Sequence, residues 1–305
     1  MGLKKIISTI LVLIVIFLLL IYFLIPFNTI EFSQGFSTSG NSNFSLDNSS
    51  TNMQFYENMR YSKKEISYNI HNCPLKKKQD AERAFEILSN VSVLNFYETN
   101  VDEEILVNCD SKNKIEDRLF IAGEGGPTNI TKTENFNVIL KGDILLIKDS
   151  KCSNPNVAIH EILHSLGFDH SSNSNSIMYN VTKCNQNIGD DVIDRITELY
   201  STPSYFDLSF ENVSAIMHGK YLDTKLTIRN NGLIDSEKAK VIIYADEKQI
   251  KEIELDSLEI GYGITMSLNN IWVTQLSVEE LKFVIDSNSP ELEKNNNEMK
   301  LKIKK

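Results

Sequence analysis

His160-Glu161-Ile162-Leu163-His164-Ser165-Leu166-Gly167-Phe168-Asp169-His170 is the stretch from which the rest of the chain is read. A helix opens just before it: Pro155 suits a first helical position, and Val157, Ala158, Ile159 and Ile162 carry the helix towards Gly167. Residues four apart on a helix share a face, so His160 and His164 aim two imidazoles at one point about 2.0–2.1 Å from each nitrogen, as zinc requires. Glu161 follows the first ligand and cannot reach the same coordination position. It is placed instead to hydrogen-bond a water on the metal, as a general base.

On a continuous helix His170 would lie more than a turn beyond His164. Gly167 accepts the positive φ that ends a helix, so the chain reverses there and brings His170 back as third ligand. Three neutral imidazoles leave a fourth position open for water and substrate, the pattern of catalytic rather than structural zinc. A bare H-E-x-x-H is a common accident, but a glycine and a third histidine at fixed offsets reduce its chance to about 10⁻⁵ or less. Three of the five histidines lie in this window. His71 and His218 have no metal-ligand spacing and read as ordinary residues.

Outward from the motif, Ala81, Ala84, Phe85 and Leu88 predict a helix over 74–90, and Val192, Ile193, Ile196 and Leu199 another over 190–200. Short apolar runs at 105–107, 119–121, 138–140 and 144–147 read as strands, with Gly123-Glu124-Gly125-Gly126-Pro127 as a turn-rich loop. These elements make a compact α+β domain over 61–203.

With Ser176-Ile177-Met178-Tyr179 standing eight residues after His170, the chain resembles a metzincin zinc metallopeptidase, most similar to the matrixins, over residues 61–202. The resemblance implies that Met178 underlies the three imidazoles without ligating. Tyr179 directly follows the methionine, as in matrixins, and is not read as a ligand. The Cys-rich continuation of archaemetzincins is replaced here by Ser171-Ser172-Asn173-Ser174. Asn72-Cys73-Pro74 is a faint echo of a propeptide cysteine switch, and the matrixins' structural-zinc and calcium loops are not found. One catalytic Zn²⁺ is therefore expected, with calcium left open.

After Pro203 the period changes to 2. Leu222, Thr224, Leu226 and Ile228 alternate with polar residues, and runs at 241–244, 250–255, 283–285 and 299–303 follow, predicting an all-β immunoglobulin-like sandwich over 204–305. Leu226 to Gly232, Val284-Ile285-Asp286 and Glu293 to Asn297 resemble the cell-adhesion-related domains of bacteria and archaea. That resemblance implies a spacer or a module that binds a cell-surface partner.

At the other end, Ile6 to Pro26 is apolar except for Ser8, Thr9 and Tyr22, about the 20 residues that a helix needs to cross a bilayer. Lys4 and Lys5 precede it, so the positive-inside rule leaves residues 1–5 in the cytoplasm, 6–26 as a single-pass anchor and the bulk outside. Cleavage of the segment as a signal peptide would give a secreted protein, although Leu24-Ile25-Pro26-Phe27 offers no small-residue site. Residues 27–60, rich in Ser, Asn and Thr, read as a flexible tether.

Export fits four cysteines, with 73–109 and 152–184 the preferred disulfides among three connectivities. Six N-x-S/T sequons, at Asn43, Asn48, Asn90, Asn129, Asn180 and Asn212, fit a glycoprotein. A net charge of −10 offers no basic face to nucleic acid. The expected function is a membrane-anchored endopeptidase acting on protein or peptide substrates. The alternative is a non-catalytic adhesion protein with a structural or vestigial zinc site, which has no use for Glu161.

Overall fold

A mainly parallel sheet lies at the centre of the first folded unit of the computed structural model, which describes residues 2–24, 29–34, 53–110, 115–116, 119–149, 152–275 and 277–303. Two helices and a strand come early in the chain: α1 (Leu3–Leu24), β1 (Thr29–Gln34) and, after an interval, α2 (Leu75–Val91). Strands β2 (Met59–Tyr61) and β3 (Glu65–His71) precede α2; β4 (Asn95–Glu98), β5 (Ile105–Cys109), the short pair β6 (Ile115–Glu116) and β7 (Leu119–Phe120), β8 (Gly123–Lys132) and β9 (Asn137–Leu146) follow it. Then come α3 (Asn156–Ser165) and α4 (Asp190–Leu199).

The sheet runs β2-β9-β5-β3-β4, all parallel, with β8 antiparallel on β9. Ile66, Ile105, Val107, Val138, Ile139, Ile144 and Leu146 are buried in it. Against them pack Ala81, Ala84, Phe85 and Leu88 of α2 and Ile159, Ile162 and Leu163 of α3. Two corrections to the sequence reading arise here. Residues 138–140 and 144–147 are not two strands; all but Ile147 lie in the continuous β9, which Gly142 does not break. The glycine-rich segment 123–127 is not a loop but the start of β8, paired with β9 through irregularities around Pro127 and Asn129.

Buried Arg60 ties the end of this unit to its beginning. Its Nη1 donates to Leu199 O at 2.6 Å and Thr202 O at 3.0 Å, and its guanidinium lies 4.2 Å from the Tyr200 ring centroid. The carbonyls left over at the C-terminus of α4 thus gain a cationic donor.

The second unit holds β10 (Leu208–His218), β11 (Tyr221–Asn230), β12 (Ala239–Ala245), β13 (Lys248–Leu255), β14 (Gly263–Trp272), β15 (Glu280–Asp286) and β16 (Glu298–Ile303). Its hydrogen-bonded order is β13-β12-β15-β16-β1-β10-β11-β14, one antiparallel path rather than two separate sheets. Leu226 and Ile228 from one half join Val241, Ile243 and Phe283 from the other in a single core. Strand β1 closes the path between β10 and β16.

That strand corrects the tether expected over 27–60. Residues 29–34 belong to the sandwich-like unit, and 53–60 belong to the first unit, while 35–52, with the sequons at Asn43 and Asn48, lie outside the described residues. The remaining sequon asparagines, Asn90, Asn129, Asn180 and Asn212, are all exposed. The apolar N-terminal run is helical as α1, but its side chains are described only over 5–20. Among the described residues no helix is long and apolar enough to cross a membrane.

Both expected disulfides are formed, Cys73 with Cys109 and Cys152 with Cys184. The first joins the segment after β3 to the end of β5. The second joins the segment before α3 to the loop before α4.

Candidate metal centre

Helix α3 is buried along almost its whole length, which is why its polar residues must be partnered. His160 and His164 project from one face of it. The helix stops where Gly167 takes φ 92°, and a Cβ there would meet Met59 Sδ at 2.5 Å. Glycine is therefore required twice over, for conformation and for space. The turn returns His170 to the other two: His164 Nε2 lies 2.9 Å from His160 Nε2 and 3.2 Å from His170 Nε2.

The remote nitrogens fix the tautomers. His160 Nδ1 is 2.7 Å from Ile177 O and His164 Nδ1 is 2.7 Å from Phe168 O. A carbonyl only accepts, so each Nδ1 carries the proton and each Nε2 presents a lone pair. Two lone pairs facing each other at 2.9 Å repel unless a cation lies between them. Burial and the neighbouring imidazole His164 push His160 down to about 4, and burial lowers His164 as well, so both are neutral at pH 7. Nitrogen donors, their number and their backbone-held orientation fit zinc.

Residues 176–179 support this arrangement through their backbone. Ile177 O holds His160, Met178 O accepts from the Ser171 N–H at 2.8 Å beside His170, and Met178 itself is buried in the core. Tyr179 joins Ser171 in an isolated bridge and is not among the grouped ligands. His71 stands at the end of β3, and His218 is 3.7 Å from Asp223 Oδ2 in the second unit.

Glu161 is 5% exposed, and burial, with the nearby charge of Glu124, raises its carboxyl to about 8. Strand β8 causes that burial. A Cβ on Gly123 would lie 2.7 Å from Glu161 Cγ, and one on Gly125 would collide with the Glu161 carbonyl oxygen. The two glycines are two residues apart, on one face of the strand, so the backbone can pass close to the helix. Their alternate spacing is a signal that a turn reading overlooks.

An open cleft of about 920 Å³ is lined by these groups, by Gly123 to Gly125 and by Asn180 to Cys184. Phe55 also lines it, a residue that sequence reasoning placed in a tether.

The matrixin family model matches residues 60–201 and the CARDB family model residues 207–301. Human matrix metalloproteinase-26 is 29% identical over 178 aligned positions, a match that covers 52% of this chain and 59% of that protein. The chain thus spans less than two thirds of that relative's length. Among solved structures, a CARDB domain from Pyrococcus furiosus, described as in complex with di-metal ions, is 19% identical with a TM-score of 0.26, covering 32% of this chain and 88% of its own.

Proposed function

Because the chain carries a matrixin domain followed by a CARDB domain, we propose that it is a zinc-dependent endopeptidase, and, from the sequence alone, that its N-terminal segment holds it at the outer face of a membrane. The observation that carries the catalytic part is the convergence of three imidazole nitrogens beside a buried carboxylate at the floor of an open cleft. His160, His164 and His170 would hold the ion. Zinc, when bound, polarises the scissile carbonyl and lowers the pKa of water.

The chain's own residues do the rest. A cation held by the three imidazoles would favour the ionised form of Glu161, which would then accept a proton from the attacking water and pass it to the leaving nitrogen, the role of a positioned general base and acid. Phe168 O and Ile177 O keep the imidazoles in the ligating tautomer. The edge of β8 that faces away from β9 pairs with no strand among the described residues, leaving backbone groups for an extended peptide.

Anchoring and export rest on the apolar run Ile6 to Pro26, on Lys4 and Lys5 before it, and on two disulfides, which persist in oxidising surroundings. The CARDB domain is proposed as a spacer or docking module. The reading of a non-catalytic surface protein with a structural metal is disfavoured by Glu161, which such a site would not need.

Glu161→Ala tests the proposal. Zinc per chain should stay near one by elemental analysis, while peptide cleavage drops by about 10²–10⁴-fold. A variant that cleaves as fast as wild type, or a zinc-loaded wild type that cleaves nothing in a broad peptide library, would defeat the peptidase reading.

A further inference from the structure

Phe55 stands on the ligand set from outside the motif. Its ring centroid lies 5.7 Å from that of His164, with the planes 22° apart, and the ring is 39% exposed in the cleft wall. Its backbone is held in place. Phe55 N–H donates to Gly167 O at 3.0 Å and Asp169 N–H donates to Met53 O at 2.9 Å, with Gln54 and Phe168 bridged antiparallel between them. Gln54 is anchored in turn: its Nε2 donates to Met59 O at 2.6 Å, and its Oε1 accepts from Met59 N–H at 3.3 Å and from Arg195 Nη2 at 3.5 Å.

Residues 53–55 therefore strap down the turn 167–169. That turn supplies the carbonyl that orients His164 and delivers His170. An aromatic face stacked on an imidazole also restricts its ring torsion and keeps water from one side of it.

We propose that Phe55 is a positioning and specificity-determining residue of this site. It fixes the His164 imidazole and forms the apolar wall of one subsite beside the metal, favouring a non-polar substrate side chain there. The proposal rests on the peptidase reading above. Its positioning half concerns zinc retention and is measurable without turnover.

The experiment compares the zinc-loaded full chain with Phe55→Ala and Phe55→Tyr, reading the rate of zinc loss to excess chelator and the cleavage preferences in a peptide library. Phe55→Ala should bind one zinc yet release it about 10-fold faster, the scale seen when the surroundings of a ligand are disturbed. Its preference for apolar over polar side chains at one substrate position should fall by about 10-fold. Phe55→Tyr, which keeps the flat ring, should restore both. Either readout unchanged in Phe55→Ala overturns the proposal, and if that variant does not fold, Phe55→Leu is judged by the same criteria. A wild type that binds zinc and cleaves nothing sinks the peptidase reading and the specificity half with it, while zinc release still decides the positioning half.

Discussion

Helix α3 and strand β8 pack against each other and line the same cleft, and they contribute to it in opposite ways. The helix supplies groups: two imidazoles, each held by a backbone carbonyl, and a buried carboxyl. The strand supplies the absence of groups, since Gly123 and Gly125 let its backbone approach until Glu161 is shut off from water. A reactive site needs both. Without the strand, Glu161 would be an ordinary surface carboxylate; without the helix, β8 would be an edge with no metal-binding groups beside it.

The largest effect is expected on the helix. His164→Ala should lose the metal and all hydrolysis, because two imidazoles bind zinc far more weakly than three and His164 is the one close to both others. Zinc per chain, measured after dialysis, checks it; retention of a full equivalent would mean that the three nitrogens do not act as one site.

Substitutions in the strand should sort by what the new methyl group meets. In Gly125→Ala it meets the backbone of Glu161, which cannot move without shifting α3, so a stability loss of about 1–3 kcal/mol is expected, as for other overpacked positions. In Gly123→Ala it meets the Glu161 side chain, which can swing aside. That variant should fold normally and lose cleavage, by no more than the factor of about 10²–10⁴ that loss of the base itself costs. Denaturation midpoints beside cleavage rates separate the two; equal stability losses would show that β8 does not lie as close to Glu161 as described.

The contrast also explains what the sequence reveals and what it hides. The three histidines and Gly167 are legible because a metal demands particular atoms at particular spacings, and few sequences meet that demand by chance. The cysteine pairs are legible from their order along the chain. The role of Gly123 and Gly125 is hidden because the residue type that marks a turn also permits a close approach, and only the approaching helix distinguishes the two. Strand β1 is hidden because its alternation, Ile30 and Phe32 between Thr29, Glu31 and Ser33, is only one repeat long, and its partners β10 and β16 lie far along the chain. Phe55 is hidden because its partners, Gly167 and His164, lie more than a hundred residues away.

The smallest effect is the most direct measure of how β8 acts on α3, and it is read on the chain stripped of metal. Glu161 has its pKa raised, from 4.5 to about 8, first by burial and then by Glu124, so the folded chain holds that proton more tightly than the unfolded chain does. Stability from this group is fully present below about 4.5 and is lost as pH rises towards 8. His160 acts the other way: its pKa is lowered from 6.5 to about 4, chiefly by burial, so its contribution grows as pH rises through that interval and is complete above 6.5. His164, also lowered by burial, follows the same sign. Of these three groups only Glu161 still titrates between pH 6.5 and 8. The thermal midpoint of the metal-free first unit should therefore fall across that window, and Glu161→Gln, which is neutral throughout, should flatten the fall. A wild-type midpoint that stays level from 6.5 to 8 would mean that water reaches Glu161 and that the glycines of β8 do not seal it.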